Sequence, residues 1–234
     1  MRIFVAGATG VIGRPLVPLL VRAGHQVTGN TRSPAKADAL ARAGATPAVV
    51  DVYDADTLKR VMQAAQPEVV IHQLTDLPDE AGALAADALA ANARVRIEGT
   101  YNLIVGAKAA GATRMIAQSI SFIYAPGREP HLEEDALVPP ENISARGVYA
   151  LEGAVTGTPG LAGVVLRYGR LYGPGTWAAA PTGKGFLHVD AAAQAAVLAL
   201  TRGAPGIYNI AEDDGEVSIA KARRELGFDP AFRA

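Results

Sequence analysis

Three glycines near the start of the chain have the spacing of an anion-binding turn. Gly7, Gly10 and Gly13 lie in AGATGVIG, directly after a short apolar run and directly before apolar residues at helical spacing. Between a strand and a helix, the first glycine permits the tight turn, the second lets the backbone approach a pyrophosphate, and the third allows close packing. Free N–H groups at the start of the helix attract the anion. This spacing predicts a dinucleotide-binding loop.

The end of the second predicted strand, where such a loop places the ribose, has no carboxylate. NAD-binding units usually carry Asp or Glu here, which binds the ribose hydroxyls. This chain has Asn30, Thr31 and Arg32 instead. Arg32 could bind a 2′-phosphate or stack on adenine, although a solvated loop arginine is also common. The missing acid and the present cation favour NADP(H) over NAD(H).

A second group of side chains could exchange protons with a substrate. Ser119, Ser121 and Tyr124 follow the fifth predicted strand, at the edge where open α/β sheets bind ligands. Ser119 or Ser121 could bind a carbonyl or hydroxyl group, and Tyr124 is a candidate proton donor. Each of them alone could equally be a satisfied turn residue.

Tyr149 lies on a predicted helix and has no cationic partner one turn away. Because an unassisted phenol has a pKa near ~10, Tyr149 is a poor base at neutral pH. A limited hydrogen-bonding role and a packing role are both open. Glu152 could share the same helix face but would disfavour the phenolate, and we expect it to be solvated.

Strand and helix patterns alternate in a way that predicts a parallel sheet. In the first half, strands are predicted at 3–6, 26–29, 46–50, 68–72 and 114–118, separated by helical patterns that include 35–43, 55–65 and 83–111. In the second half we predict a loop at 126–140, a helix at 148–156, a strand at 163–167, a loop at 173–185, a strand at 207–210 and a helix at 219–226. Right-handed crossovers between such strands give a doubly wound α/β fold with helices on both faces.

Composition narrows the classes of partner. The chain has 234 residues, a net charge of −1 and no cysteine. The charge argues against nucleic acid or an anionic membrane surface as partner, and the absence of cysteine excludes disulfides and thiolate catalysis. No histidine pairs at ligand spacing with another metal-binding group, so we predict no metal. Without a signal peptide or an apolar span, we expect a cytoplasmic protein.

Segments along most of the chain resemble the short-chain dehydrogenase/reductase superfamily, in its extended and atypical branch with the NAD(P)-dependent epimerases and dehydratases. These segments are GATGVIG, VVDVYDADTL (49–58), VVIHQLTDL (69–77), EGTYNLIVGAKAAG (98–111), MIAQSISFIYAPG (115–127), VVLRYGRLYGPGT (164–176), FLHVDAAAQA (186–195) and VSIAKARRELGFDP (217–230). The resemblance implies a Rossmann-like NAD(P)-binding core at 1–160. It places the last core strands, interleaved with a small C-terminal substrate lobe, at 161–234 in the same structural unit. It also implies a small-molecule substrate and a possible homodimer through helices around 83–110 and 148–156.

The resemblance also assigns roles to single residues. It implies that the catalytic residues are Ser119, Ser121, Tyr124 and Tyr149. It implies that the cofactor contacts are Gly7, Thr9, Gly10, Val11, Ile12, Gly13, Arg32, Asp51, Val52, Gln73, Leu74, Thr75 and Tyr168.

The chain departs from the family at one catalytic position. The family uses Tyr-x-x-x-Lys, whose ammonium lowers the proton affinity of the tyrosine. Here the residue four after Tyr149 is Gly153, and no lysine occurs between Lys108 and Lys184. The substrate lobe is also short, near 183–185 and 213–216.

Three functions follow from this pattern. The first is an NAD(P)H-dependent reductase of a bulky carbonyl, a quinone or an aromatic-polyketide-like molecule, because such acceptors need little proton assistance. The second is a non-catalytic NAD(P)-binding sensor or scaffold, which the missing lysine favours. The third is a sugar-nucleotide epimerase or dehydratase, which fits least well without the Tyr–Lys base.

Overall fold

A seven-stranded parallel sheet forms the centre of the molecule. The computed structural model describes residues 1–78, 80–83 and 85–234. The strands of the sheet are β1 (Arg2–Ala6), β2 (Gln26–Thr31), β3 (Thr46–Val49), β4 (Val69–His72), β5 (Arg114–Ile120), β6 (Ala162–Tyr168) and β9 (Gly206–Ile210), in the order β3-β2-β1-β4-β5-β6-β9. This order confirms the doubly wound fold predicted from the sequence. It also makes the gap between the carboxyl ends of β1 and β4 the point where the winding reverses, which is where such sheets bind ligands.

Helices cover both faces of the sheet. They are α1 (Gly13–Arg22), α2 (Ala37–Arg42), α3 (Ala55–Ala65), α4 (Ala86–Arg94), α5 (Thr100–Ala109), α6 (Ile143–Gly157), α7 (Val189–Leu198) and α8 (Ala220–Leu226). Successive strand residues point to opposite faces. Thus Ile3 and Val5 of β1 pack with α1, α2, α7 and α8, while Phe4 and Ala6 pack with α3, α5 and α6. The central strands are buried on both sides, as their continuous apolar sequences require.

The region predicted as one helix at 83–111 is interrupted. Its α4 and α5 are joined by a π-helix, Val95–Gly99. A short 3₁₀ turn, Ala81–Ala83, precedes α4, and another, Pro34–Lys36, precedes α2. Leu84 falls in the predicted helical region but lies outside the described residues. The π-helix brings Arg96 and Gly99 to buried positions.

A small lobe lies beyond the carboxyl edge of the sheet. Its strands β7 (Arg170–Tyr172) and β8 (Phe186–His188) pair in parallel as a separate two-stranded sheet. Single β-bridges join Tyr124 to Leu137 and His131 to Val217. The sequence did not predict β7, because three residues are too few to show a strand period. Among the described helices, none combines the length and the apolar character needed to cross a bilayer.

Candidate functional site

The glycine loop after β1 closes too tightly for side chains at two positions. Gly7 has φ +82°, and a Cβ there would lie 2.7 Å from the carbonyl oxygen of Gln73. A Cβ at Gly13 would lie 2.3 Å from the carbonyl oxygen of Gly7. At Gly10, whose N–H donates to the Gly7 carbonyl at 3.0 Å, the same atom at 3.2 Å is the one close neighbour. The exposed Gly10 therefore lets an incoming ligand reach the backbone.

The N-terminus of α1 opens on this loop without a side-chain cap. Its N-cap residue is Ile12, and no side chain accepts a hydrogen bond from the first turn. Val11 is half-buried, and Thr9 donates from its hydroxyl to that of Thr31 at 3.4 Å. The helix start thus presents N–H donors and the positive end of a dipole, which suit an anion.

At the end of β2, Asn30 is buried within the fold, whereas Arg32 is exposed to solvent. Asn30 is buried and donates from Nδ2 to the Val50 carbonyl at 2.8 Å, which ties β2 to the end of β3. The Arg32 side chain is 67% exposed and lies 3.0 Å from Asp76. Because an exposed ion pair is weak, the guanidinium can exchange Asp76 for a phosphate.

The other predicted cofactor contacts lie at the ends of β3 and β4. Asp51 is exposed and accepts from the Tyr53 N–H at 2.9 Å, and Val52 beside it is buried. Leu74 is half-buried and Thr75 is exposed.

Gln73 joins the cofactor edge to β6. Its Nε2 donates to the Tyr168 hydroxyl at 3.3 Å, while its buried Oε1 has no partner in the described part of the chain. Tyr168 is itself buried, and burial raises the pKa of its phenol. The buried Tyr168 hydroxyl therefore fixes the position of the Gln73 side chain.

Ser119 and Glu152 belong to a buried ion-pair network. Ser119 donates to Glu152 Oε1 at 2.7 Å. Arg167 forks onto the same carboxylate, with Nε–Oε1 at 2.9 Å and Nη2–Oε2 at 2.7 Å. Burial acts to lower the pKa of Arg167, but the hydrogen bonds and charge of Glu152 raise it overall. The expectation that Glu152 is solvated was wrong, because a charge partner from β6 and a hydroxyl from β5 replace its water.

Tyr124 holds the loop after β5 against β9. Its hydroxyl donates to Asn209 Oδ1 at 2.7 Å and accepts from Arg167 Nη1 at 2.7 Å. Its ring stacks on His131, with centroids 4.9 Å apart. Burial raises the pKa of this phenol. The sequence analysis made the Tyr124 hydroxyl a candidate proton donor to a substrate. In the structure, that hydroxyl donates to Asn209 instead.

Tyr149 stands alone on the exposed side of α6. It is 43% exposed, and its hydroxyl has no hydrogen-bond partner among the residues described. A Cβ at Gly153 would meet nothing within 4 Å, so open space lies where the family has its lysine. Lys184, the next lysine along the chain, pairs with Glu129 at 3.0 Å on the surface.

The polar groups at this edge fit a nicotinamide dinucleotide. Besides Gln73 Oε1, the buried Ser121 Oγ lacks a hydrogen-bond partner in the part of the chain the structure describes. An unsatisfied buried polar atom is costly, and a ligand with amide and hydroxyl groups satisfies it. The glycine loop and the uncapped start of α1 have the geometry that suits a diphosphate. Across residues 1–78, 80–83 and 85–234, no group of three or more His, Asp or Glu side chains could hold a metal ion.

Sequence reasoning missed three polar residues of this edge. Arg167 lies between Leu166 and Tyr168 in an otherwise apolar strand, and Arg96 lies between Val95 and Ile97. For Arg96, which has Arg94 and Glu98 two residues to either side, the sequence carries no clear signal. A charged residue inside a buried apolar run, such as Arg167, must be paired or functional, so this pattern was the available signal. Asn209, within GIYNI, carried the same signal more weakly.

Comparisons with known proteins agree with this geometry. The model of the NAD dependent epimerase/dehydratase family matches residues 3–185. A Streptomyces protein described as 3-diazoavenalumate denitrifying reductase is 40% identical, over 92% of this chain and 77% of the relative.

Solved structures share the fold at low identity. UDP-glucose 4-epimerase from Thermotoga maritima superposes with a TM-score of 0.84 at 19% identity, covering 100% of this chain and 94% of that chain. The Bordetella bronchiseptica enzyme WbmG, in complex with NAD and UDP, gives 0.78 at 18% identity, covering 100% and 90%. At these identities the likeness concerns the fold alone.

Proposed function

The chain belongs to the NAD-dependent epimerase/dehydratase family and is an NAD(P)-dependent oxidoreductase; from this premise we propose that it reduces an electron-poor aromatic small molecule without a proton from the family's Tyr–Lys pair. The dinucleotide, when bound, supplies the hydride. The first acceptor class is an aromatic diazo compound that loses dinitrogen, and quinones are the second.

The proposal depends on which hydroxyl protons of the site are available to a substrate. The Ser119 proton is engaged by Glu152 and the Tyr124 proton by Asn209. Beside Tyr149, Gly153 leaves open space in place of a lysine. A ketone or sugar needs a proton on oxygen when hydride adds, and this constellation supplies one poorly.

An aromatic diazonium ion needs no such proton. Hydride and the diazonium cation become the arene and dinitrogen, and the electron pair of the C–N bond leaves with the nitrogen. The Streptomyces relative, whose description names both a diazo compound and a denitrifying reductase, supports this class. The epimerases among the solved structures are too distant in sequence to favour epimerisation.

The other residues of the site bind the cofactor and contact the acceptor. The loop Gly7–Gly13 and the start of α1 hold the diphosphate. Arg32 binds the 2′-phosphate, which makes NADP(H) the preferred cofactor. Gln73 Oε1 and Ser121 Oγ, which have no hydrogen-bond partner among the described residues, are available to the acceptor and the cofactor. The exposed rings of Phe122 and Tyr149 supply flat apolar surface for it.

The loop after β7 reaches towards the cofactor side of the cleft. Trp177 Nε1 donates to the Pro78 carbonyl at 3.2 Å, and Arg14 Nη2 donates to the Gly175 carbonyl at 3.4 Å. These contacts join the substrate lobe to the loop after β4 and to α1. We assign to this loop the exclusion of water from the acceptor.

The test is oxidation of NADPH and NADH by the pure protein with substituted arenediazonium salts and naphthoquinones, corrected for the reaction without protein. We expect catalysed oxidation, and for the diazonium salts the matching arene as product. Tight dinucleotide binding with no turnover on either class would instead favour the sensor or scaffold function.

A further inference from the structure

One buried arginine has no counter-ion in the described structure. Arg96 belongs to the π-helix between α4 and α5 and is 3% exposed. Its Nε lacks a hydrogen-bond partner, and it forms no ion pair with any residue in the described ranges. A one-turn π-helix is rare and occurs frequently at functional sites.

Arg96 lies at the ligand-binding edge of the sheet. The chain from α4 to α5 runs from this edge back to the start of β5. Thr100 contacts His72, the last residue of β4, at 3.0 Å. Arg96 precedes Thr100 by one turn, which brings it to the level of the strand ends. Its stem packs over Gly147 of α6, where a Cβ would lie 3.3 Å from Arg96 Cδ.

The charges around Arg96 do not cancel. His72 is neutral, since burial, followed by the charge of Arg96, lowers its pKa to about 3. Its Nδ1 accepts from the Leu74 N–H, so its Nε2–H donates to Thr100. Glu152, whose negative charge acts on Arg96, already accepts two hydrogen bonds from Arg167. Within the described residues, Glu152 is thus paired with Arg167, and Arg96 has no carboxylate of its own.

Arg96 keeps its charge at neutral pH. Burial lowers its pKa to about 10, while the nearby Glu152 acts to raise it. An uncompensated buried cation destabilises a folded protein, so an anion must offset it when the site is working. Directly after β5, the buried Ser121 Oγ is a further group at the same edge that has no hydrogen-bond partner among the described residues.

We propose that Arg96 binds the carboxylate of the substrate, so that the reductase acts on aromatic acids. A planar guanidinium pairs with a carboxylate through two parallel hydrogen bonds. The cofactor's phosphates are the less suitable anion, because the glycine loop and Arg32 lie on the β1–β2 side, whereas Arg96 lies beyond β4 against α6. This inference rests on the proposed function for the identity of the site.

The first test needs no variant. Cinnamate and its methyl ester, neither carrying a diazo group, are titrated calorimetrically into the protein saturated with NADP⁺, and into the free protein. We expect the acid to bind at least about tenfold more tightly than the ester. Equal affinities would overturn the proposal.

The second test uses Arg96→Met, with Arg94→Met as the matched control on the exposed face, where Arg94 pairs with Glu98. Arg96→Met should abolish the preference for the acid, leave NADP⁺ affinity within about twofold, and raise the melting temperature of the free protein. The control should keep the preference.

Two results distinguish a wrong role for Arg96 from a wrong proposed function. If Arg96→Met weakens NADP⁺ and cinnamate by the same factor, the cation serves the cofactor and the inference is wrong. If neither dinucleotide binds to the wild-type protein, the proposed function fails, while the acid-to-ester ratio in the free protein still decides the role of Arg96.

Discussion

At the scale of single residues, the proposed preference for NADP(H) depends on Arg32. It is mostly exposed and is held by one weak ion pair to Asp76. We expect Arg32→Gln to weaken NADPH binding by at least about tenfold, because a charge-assisted contact to the 2′-phosphate is lost, and to leave NADH binding nearly unchanged. Fluorescence titration of both dinucleotides measures this. Equal losses for the two would remove Arg32 from the ribose site.

Gly153 offers a gain-of-function test. A side chain there meets nothing within 4 Å. Gly153→Lys should stabilise the fold by about 0.5–1 kcal/mol, because glycine is unfavourable inside a helix. The ammonium should also help Tyr149 to deliver a proton and give measurable reduction of simple aromatic ketones. Denaturant unfolding and NADPH oxidation check the two effects. Wild-type protein that reduces these ketones equally fast would contradict our account of the proton supply.

Residues could be predicted where their role depends on local backbone geometry. Gly7, Gly10 and Gly13 lie within one turn, so their spacing predicted the tight loop that the structure shows. The state of Glu152 could not be predicted, because its partner Arg167 comes from a strand fifteen residues away. The burial of Arg96 depends on a π-helix and on Gly147, and neither has a sequence pattern of its own.

At the scale of elements, the turn between β1 and α1 should tolerate no added bulk facing the ligand. Gly10→Ala places a methyl group on the surface proposed to meet the diphosphate, while within the protein its one close neighbour is the Gly7 carbonyl oxygen at 3.2 Å. We expect dinucleotide affinity to fall at least about tenfold with little change in stability. Gly153→Ala, a helical site with open space, is the matched control and should bind normally. Calorimetry that found both variants equal to wild type would argue against this loop as the diphosphate site.

The pair Glu152–Arg167 fastens α6 to β6 and orients Ser119. We expect Glu152→Gln to destabilise the fold by about 3 kcal/mol, since it leaves a buried guanidinium without its counter-ion. Glu98→Gln, which breaks an exposed pair with Arg94, should cost less than about 1 kcal/mol. Unfolding curves in guanidinium chloride give the free energy of unfolding of both variants. Similar losses of stability would mean that the buried pair stabilises the fold no more than the exposed one.

Strands and helices could be predicted where their periodic pattern of apolar residues extends over enough residues. The five strands of the first half lie where the alternating pattern placed them. The short strands β7 and β8 and the break between α4 and α5 were not predicted, because packing in the lobe and against α6 determines them.

At the scale of the whole molecule, one exposed apolar stripe predicts self-association. Ile97, Tyr101 and Val105 recur at helical spacing, and Tyr101 is 66% exposed. Ile97 and Tyr101 form one surface with Ala150 and Ala154 of α6, which Glu98 and Asn102 also line. We expect a homodimer through these helices, and Tyr101→Glu should yield monomers. Light scattering after gel filtration gives the mass, and a monomeric wild-type protein would refute the interface.

The sheet could be predicted because it follows from repeated strand–helix units. The substrate lobe could not, since bridges such as His131–Val217 join segments far apart in sequence. The division at residue 160 stays a prediction, because β6 and β9 belong to the same sheet as the first five strands.

The most direct test follows the hydride itself. The protein is mixed with an arenediazonium salt and NADPH carrying deuterium at C4 of the nicotinamide, and the arene is examined by mass spectrometry, with the reverse labelling run in D₂O. We predict one deuterium from the cofactor at the carbon that lost nitrogen and none from the solvent. An arene whose new hydrogen comes from D₂O, or no reaction with either dinucleotide bound, would contradict hydride delivery without a protein proton.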